Sequence, residues 1–194
     1  MTARSSLGAA YFEDIFAGDD DPWRLASSEY EAAKFAHTHD ALTDRRYRQA
    51  LEIGCAHGVL TGRLAPLCDN LLAIDISSGA LAKARRRVGD RPGVVLARMA
   101  FPDEAPDADG FDLVILSEVA YYWGMVDLER AASWLRAHVA PGGRIILVHF
   151  IGETDYPHSG DEAVETLWKG LEGDFSAIRA DRHDRYRLDL WERR

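Results

Sequence analysis

The sequence has few of the features that mark secreted, membrane-bound or nucleic-acid-binding proteins. It carries two cysteines, Cys55 and Cys68, too few for a disulfide framework or a zinc site, so both are predicted to be free thiols. No apolar run reaches the roughly 18 residues that a membrane helix needs. The first ten residues lack the basic start and apolar stretch of a signal peptide. These absences predict a cytoplasmic protein without a membrane partner.

Positive charge is also scarce. The chain has 23 Lys and Arg against 32 Asp and Glu, which gives a formal net charge of −9. DNA and long RNA are poor candidate partners, because proteins that bind them usually present a basic surface. A neutral or amine-bearing small molecule fits this charge better. With 194 residues, 47% of them hydrophobic, the chain is large enough for one domain with its own core.

Beyond residue 45 the hydrophobic pattern alternates between strands and helices. Short apolar runs predict five strands, at residues 50–53, 71–76, 94–98, 111–116 and 144–149. Helices are predicted between them at residues 59–67, from Ser77 or Ser78 to about Val88, and at residues 128–139. The last of these helices is predicted to end at Pro141-Gly142-Gly143. Such alternation indicates a parallel sheet with helices on both faces.

The two ends of the chain have different patterns. Helices are predicted around residues 12–16 and from Ser27 or Ser28 to about Leu42. At the other end, a helix at residues 162–171 precedes two segments, 175–183 and 185–192, that alternate apolar and charged residues and predict an antiparallel hairpin. Its arginines could form an RNA-binding strip, but the alternation favours a solvated strand face. The predicted fold is α/β, with a mostly parallel, Rossmann-like sheet of seven strands.

The most informative segment follows the first predicted strand and reads Glu52-Ile53-Gly54-Cys55-Ala56-His57-Gly58. In doubly wound sheets, ligands bind beyond the carboxyl ends of the strands, and glycine lets the backbone approach them closely. A dinucleotide fingerprint, Gly-x-Gly-x-x-Gly, would need a small residue where Val59 stands. The spacing from Gly54 to Gly58 is instead that of Glu/Asp-x-Gly-x-Gly-x-Gly, the motif of class I methyltransferases, with Ala56 replacing the middle glycine.

Asp75 ends the second strand, where a carboxylate can accept hydrogen bonds from both ribose hydroxyls of a nucleoside. Ile76 would offer an apolar face to adenine. No acid follows the third strand, so adenine would depend there on backbone groups and on packing by Met99. S-adenosylmethionine is the predicted cofactor, and no metal is expected. Its predicted contacts in this part of the chain are Glu52, Gly54, Cys55, Ala56, Gly58, Asp75, Ile76, Met99, Ala100 and Ser117.

Residues after the fourth and fifth strands are candidates for the chemistry. An amine must be neutral to attack a methyl group, so an acid that binds the ammonium and helps its proton leave would assist transfer. Glu118 is the first candidate, with a cofactor contact or helix N-cap as its alternative roles, and His149 is the second, with a structural role as its alternative. The predicted acceptor-binding residues are Tyr121, Tyr122, Asp155, Tyr156 and His158.

Several segments together resemble the NodS family, rhizobial nodulation methyltransferases that N-methylate deacetylated chitooligosaccharides. The matching segments include Asp21-Pro22-Trp23-Arg24, Tyr30-Glu31 with Lys34, Leu116-Ser117-Glu118-Val119 with Tyr121-Tyr122, Ala140-Pro141-Gly142-Gly143, and Asp155-Tyr156-Pro157. The resemblance implies a helical lid at residues 1–45 that folds over the cofactor, and a Rossmann-like core at residues 46–194. It also implies that Trp23, Tyr30 and Lys34 contact the cofactor, with Lys34 meeting the methionine carboxylate.

The predicted function is therefore methyl transfer from S-adenosylmethionine to the amine of a small molecule or amino sugar. A methyltransferase acting on oxygen or sulfur is the nearest alternative, and the sequence separates the two poorly. A non-catalytic cofactor-binding module is an alternative of another class. It is disfavoured by the intact glycine loop and by Asp75. A nicotinamide-dependent oxidoreductase is disfavoured by Val59 and by the C-terminal hairpin.

Overall fold

The computed structural model describes residues 5–194. Residues 1–4 belong to the stretch on which the signal-peptide prediction rests, and they lie outside the described part. Contacts divide the chain into two compact units, one of residues 8–100 and one that includes residues 101–194. No helix between residues 5 and 194 is long and apolar enough to cross a membrane.

The unit of residues 8–100 alternates helices with three parallel strands. The strands pair side by side, with Ile53 opposite Ile74 and Asp75 opposite Arg98. Parallel neighbours need a helical crossover between them, and α3 and α4 provide it. The elements are α1 (Ala9–Gly18), α2 (Glu29–Asp40), β1 (Tyr47–Ile53), α3 (Val59–Leu64), β2 (Cys68–Asp75), α4 (Ser78–Val88) and β3 (Val94–Arg98), with a 3₁₀ turn at Pro22–Arg24.

The second unit contains the remaining four strands. Its elements are β4 (Phe111–Ser117), α5 (Met125–His138), β5 (Val139–Phe150), α6 (Gly160–Leu171), β6 (Phe175–Arg182) and β7 (Tyr186–Arg193), with a 3₁₀ turn at Ala120–Tyr122. Strands β4 and β5 are parallel, whereas β7 is antiparallel to both β5 and β6. The strand order is β3-β2-β1 in the unit of residues 8–100 and β4-β5-β7-β6 in the second unit. The predicted mostly parallel seven-stranded sheet with a terminal antiparallel pair is confirmed.

Serine side chains start three of the helices. Ser28 caps α2 by accepting from the backbone N–H of Glu31, and Ser77 caps α4 by accepting from Ala80. Ser159 and Glu162 form a reciprocal capping box at the start of α6. These caps satisfy backbone N–H groups that have no partner inside the helix. The starts of α2 and α4 therefore agree with the positions predicted from the sequence.

The core lies around the central strands. Residues 113–116 of β4 and 145–148 of β5 have no exposed surface, as expected for strands covered on both faces. Strand β3, at one edge of the sheet, leaves Val95 59% exposed. Both cysteines are buried free thiols, as predicted.

Several element boundaries differ from the predictions. The Pro141-Gly142-Gly143 segment was predicted to terminate a helix, yet it lies inside β5, because Val139 already pairs with Phe111 of β4. The register between the two strands shifts just beyond this pair, and Gly142 has a φ of 72°. The helix predicted at 128–139 spans Met125–His138, and the one predicted at 59–67 ends at Leu64 in a 3₁₀ turn that accommodates Pro66.

Candidate active site

The glycine loop, residues 54–58, connects β1 to α3. The backbone N–H groups of Gly54 and Cys55 both donate to the carbonyl of Ile74, at 2.9 Å. Gly58 has a φ of 79°, and an added Cβ would stand 3.0 Å from Val88. Glycine is therefore required at position 58 for both conformation and space. Ala56 has a φ of 48°, so the residue that replaces the motif's middle glycine holds a left-handed conformation despite its Cβ.

Asp75 at the end of β2 organises this loop. Its two carboxylate oxygens accept hydrogen bonds from the backbone N–H groups of Ala56 and Ser77, each at 2.8 Å. The side chain is 7% exposed, and burial raises the pKa of Asp75 to about 6. Because each oxygen has a second lone pair, the fixed carboxylate can still accept from a ligand.

Glu52, at the penultimate position of β1, is almost entirely buried. Among the described residues its Oε2 atom has no hydrogen-bond partner. Burial raises the pKa of Glu52 to about 8, and the nearby charge of Asp75 acts in the same direction. A buried acid with an unused oxygen fits a cationic ligand group, which would favour its ionised form.

The protonation of Glu52 predicts a pH dependence of stability. The folded chain keeps this proton up to about pH 8, whereas a carboxyl at its ordinary pKa of 4.5 releases it much earlier. Folding therefore takes up a proton between these values. The stabilisation is complete below pH 4.5 and is lost as the pH rises through about 8. We expect Glu52→Gln to remove most of this slope, as measured by urea denaturation without cofactor.

The pH dependence of stability should be compared between wild type and Glu52→Gln above pH 6. Below that pH, Asp75, whose pKa is raised to about 6, also contributes to the pH dependence. Glu29→Gln, at an exposed position on α2, provides the matched control and should keep the wild-type slope. Equal slopes for wild type and Glu52→Gln between pH 6 and 8 would contradict the assignment.

Two other predicted cofactor residues of this unit neighbour Asp75, Ile76 in sequence and Met99 in the fold. The backbone N–H of Met99 donates to the carbonyl of Asp75 at 3.1 Å, which places Met99 next to the ribose-binding candidate. Ile76, Met99 and Ala100 are half-buried. Burial raises the pKa of the Cys55 thiol well above its usual value, so Cys55 is a small apolar wall of the loop.

The three predicted lid residues have different environments. The Trp23 side chain is 40% exposed and contacts the ring of Phe16 edge-on, at 5.8 Å between centroids. Tyr30 is half-buried, and its ring lies 5.1 Å from the Lys34 amine. Lys34 itself is 2% exposed and forms an ion pair with Glu31 at 2.9 Å. Lys34 would thus meet a ligand carboxylate only in competition with Glu31.

Sequence reasoning missed the contact that anchors α1. The carboxylate of Glu13 accepts hydrogen bonds from the backbone N–H groups of Ser78 and Gly79 and from the Ser77 hydroxyl, at 2.6–3.1 Å. Burial opposes ionisation of Glu13, but these bonds outweigh it and hold its pKa below the ordinary value. An anion at this position also interacts favourably with the α4 dipole. Helix α1 is therefore fixed to the turn that follows Asp75.

In the second unit, Glu118 stands just after β4 in a left-handed conformation, with a φ of 56°. Its Oε2 atom accepts hydrogen bonds from the Tyr121 hydroxyl at 2.6 Å and from the backbone N–H of Phe150 at 2.9 Å. Ser117, the last residue of β4, pairs with Val148 of β5. These contacts fix the orientation of the Glu118 carboxylate beyond the ends of two neighbouring parallel strands.

His149 is fully buried near the end of β5. Its Nε2 atom accepts a hydrogen bond from the backbone N–H of Ala120 at 3.1 Å, so the neutral ring carries its proton on Nδ1. The ring also contacts Tyr121 edge-on, at 5.4 Å between centroids. His149 therefore holds the 3₁₀ turn that follows Glu118.

Three tyrosines form a cluster with these residues. Tyr121 and Tyr156 stack at 5.2 Å with an interplanar angle of 17°, and Tyr122 meets Tyr156 edge-on at 4.6 Å. Burial raises the pKa values of the Tyr121 and Tyr122 phenols well above the usual range, so both remain neutral hydrogen-bonding groups. Tyr156 is half-buried and leaves some of its surface accessible.

The predicted acceptor residues of the loop after β5 differ in their burial and contacts. The backbone N–H of His158 donates to the Tyr121 carbonyl at 3.3 Å, which ties the loop after β5 to the tyrosine cluster. The Asp155 side chain is exposed. Within residues 5–194, no three His, Cys, Asp or Glu side chains form a group that could hold a metal ion.

Comparisons with known proteins add to this geometry. A family model described as Nodulation protein S (NodS) matches residues 14–149. Nodulation protein S of Rhizobium tropici is 33% identical over 129 residues, which are 66% of this chain and 54% of that protein. An uncharacterized methyltransferase of Mycobacterium tuberculosis is 31% identical over 132 residues, 68% of this chain and 62% of that protein. The matches thus span little more than half the length of these relatives.

A solved structure resembles almost the whole chain. The N-methyltransferase NodS from Bradyrhizobium japonicum WM9, in complex with S-adenosyl-L-homocysteine, superposes with a TM-score of 0.80 and 24% identity. The match covers 95% of this chain and 97% of that one. This likeness establishes the class I methyltransferase fold. Because the family model also covers most of the sequence, the chain belongs to the nodulation protein S (NodS) family.

Proposed function

We propose that this protein is an S-adenosylmethionine-dependent methyltransferase that N-methylates an amine of a small molecule or amino sugar. One observation carries the proposal: the glycine loop is closed against Asp75, whose fixed carboxylate keeps lone pairs for ribose hydroxyls. The crystallised NodS relative was bound to S-adenosyl-L-homocysteine, which supports the same cofactor here.

The cofactor contacts follow from the chemistry of the unit of residues 8–100. We assign Asp75 to the ribose hydroxyls, and Ile76 and Met99 to the adenine ring. The buried acid Glu52 is assigned to the α-ammonium group of the methionine portion, because a cation would favour its ionised form. We divide the chain into an N-terminal lid at residues 1–45 and a core at residues 46–194. The lid residues Trp23, Tyr30 and Lys34 are assigned as further cofactor contacts.

The chemical step asks little of the protein. S-adenosylmethionine supplies an activated methyl group on a sulfonium, so the chain's residues need only position the nucleophile and exclude water. We propose that Glu118 binds the acceptor ammonium and helps its proton leave. Direct participation of His149 stays a prediction, since its contact with Ala120 also suits a positioning role. The side chains of Tyr121, Tyr122 and Tyr156 would line the acceptor-binding site.

An amino sugar is the favoured acceptor class. Sugar rings pack against aromatic side chains, and Tyr156 is both half-buried and at the centre of the tyrosine cluster. Asp155, exposed in the same loop, and His158 could contact hydroxyl or amine groups. The family relation points the same way, because the crystallised NodS protein is an N-methyltransferase. A net charge of −9 is compatible with a cationic acceptor and disfavours nucleic acid. We infer a cytoplasmic site of action.

The deciding experiment offers methyl-labelled cofactor with a panel of acceptors: glucosamine oligomers with a free amine, their N-acetylated counterparts, and small amines, thiols and phenols. We expect label in the free-amine oligomers and none in the acetylated controls. Label in phenols or thiols alone would replace N-methylation with the O- or S-methyltransferase alternative. Thermal shift with S-adenosylhomocysteine and NAD separates the remaining possibilities, since a non-catalytic module would bind the first compound without turnover.

A further inference from the structure

A histidine of the glycine loop contacts the N-terminal segment. His57, which is 1% exposed, places its Nε2 atom 2.9 Å from the Oδ1 atom of Asp21, 36 residues earlier in the chain. The Phe16 ring lies beside the imidazole, at 6.4 Å between centroids and an interplanar angle of 56°. The glycine loop is thus joined directly to the residue that precedes the Pro22–Arg24 turn.

The turn joined to His57 is strained. Trp23 and Arg24 both have a φ of 57°, a conformation that side-chain-bearing residues adopt rarely and that two neighbours adopt more rarely still. The same Oδ1 atom of Asp21 accepts from the backbone N–H of Ala26 at 2.9 Å, across the turn. Strained backbone persists only where surrounding contacts hold it, and Asp21 provides two of those contacts.

The imidazole has a defined role in this contact. Burial lowers the pKa of His57, and the cations Arg87 and Lys83 act in the same direction, so the ring is neutral near pH 7. Burial opposes ionisation of Asp21, but hydrogen bonds from Ala26, Ser27 and His57 outweigh it and lower its pKa. The neutral ring therefore donates through Nε2 to a carboxylate, while its Nδ1 atom has no partner among residues 5–194.

Neighbouring groups keep His57 in place from its other side. Arg87 of α4 donates from Nε to the His57 carbonyl at 3.0 Å. Lys83 of α4 forms an ion pair with Asp20 at 3.0 Å and donates to the Phe16 carbonyl at 2.9 Å. The backbone of the loop and the segment before Asp21 are therefore both fixed to α4. The His57–Asp21 hydrogen bond connects the loop side chain to the residue that precedes the turn.

We propose that the His57–Asp21 hydrogen bond is a latch that couples the glycine loop to the Trp23–Arg24 turn, so that His57 is a positioning residue for cofactor retention. The inference rests on the proposed function, because it assumes that the loop holds the cofactor. In this arrangement the latch keeps Trp23 in the conformation needed to cover the bound cofactor. Without it the turn relaxes to ordinary backbone angles and the cofactor escapes faster.

The test uses variants on both sides of the bond. His57→Ala removes the donor, His57→Gln restores an N–H donor of similar reach, and Asp21→Asn removes the acceptor charge. The control is His39→Ala, which breaks a histidine–aspartate contact of 3.1 Å with Asp40 on the exposed side of α2. Calorimetry measures the affinity for S-adenosylhomocysteine. Trypsin cleavage after Arg24, followed by mass spectrometry of the fragments, measures the conformation of the turn.

We expect His57→Ala to weaken binding about tenfold, the loss typical of one hydrogen bond to a charged group. Asp21→Asn should weaken binding by a smaller but measurable factor, because asparagine keeps a carbonyl acceptor and loses the charge. S-adenosylhomocysteine should protect Arg24 from trypsin in wild type but much less in these variants. His57→Gln should recover part of both effects, and His39→Ala should match wild type. A role confined to folding would lower the melting temperature without changing ligand protection of Arg24.

The experiment distinguishes failure of the proposed function from failure of the latch. If wild type binds no S-adenosylhomocysteine, the proposed function fails and the latch fails with it. If wild type binds, but His57→Ala and Asp21→Asn bind equally well and show the same trypsin protection, the latch alone is overturned. Should His57→Ala not fold, the near-isosteric Asp21→Asn decides the question, because it alters the latch without creating a cavity.

Discussion

Asp75→Ala is expected to weaken binding of S-adenosylhomocysteine at least about 100-fold while the chain stays folded. The substitution would remove two hydrogen bonds between the ribose hydroxyls and a charged acceptor, each contributing about 1.5–3 kcal/mol to the free energy of binding. The substitution also removes the acceptor of the Ala56 and Ser77 backbone N–H groups, so the loop loses its internal support together with its ligand contact. Calorimetry measures the affinity, and urea denaturation measures the stability.

Two further variants refine this prediction. Asp75→Asn keeps one carbonyl acceptor and should fall between wild type and Asp75→Ala. Asp69→Ala removes another aspartate of β2, whose side chain is 51% exposed and paired with Arg46, and it should bind like wild type. Unchanged affinity in Asp75→Ala would exclude Asp75 from the ribose site. The glycine loop would then need a different ligand.

Glu118→Gln should lower the rate of methyl transfer by about 100-fold or more, the range expected when a general acid–base group is removed. The glutamine keeps nearly the same shape and one carbonyl acceptor for the Tyr121 hydroxyl or the Phe150 N–H. It cannot balance an ammonium charge or take up a proton. We therefore expect kcat to fall much more than the affinity for cofactor, as measured with methyl-labelled cofactor and by calorimetry.

Glu129→Gln, an exposed change on α5 in the same unit, is the control and should retain full turnover. A Glu118→Gln protein with an undiminished rate would exclude Glu118 from the chemistry. A parallel fall in cofactor affinity would instead support the alternative assignment, in which Glu118 contacts the cofactor.

Much of the fold could be predicted because strands and helix starts depend on residue patterns that are local in the sequence. Strand β3 spans Val94–Arg98, the residues predicted from the apolar run, and the caps at Ser28 and Ser77 stand where short polar residues precede helical patterns. The continuous apolar run of β4 identified it as a buried central strand. Such patterns depend on neighbours within a few residues, and the sequence displays them directly.

Features that depend on distant residues were not predictable in the same way. Pro141-Gly142-Gly143 is a common helix terminator, yet pairing of Val139 with Phe111 draws the segment into β5. The Glu13 and His57 contacts join residues 65 and 36 positions apart, and no local pattern specifies them. Likewise, Glu31 is one of several residues with which Lys34 could pair at helical spacing, so the sequence alone did not specify this ion pair.

The carboxylate of Glu13 at the start of α4 has a consequence for cofactor choice. The N-terminus of the helix after the second strand lies beside Asp75, the proposed ribose ligand, and helix N-termini are places where a phosphate can bind. Here the protein supplies its own anion to those N–H groups. A ribose carrying a 2′-phosphate would meet a negative charge where it needs a positive one. If Asp75 binds the ribose as proposed, we therefore expect repulsion by Glu13 to disfavour dinucleotides that carry a 2′-phosphate, independently of any contact that favours a sulfonium.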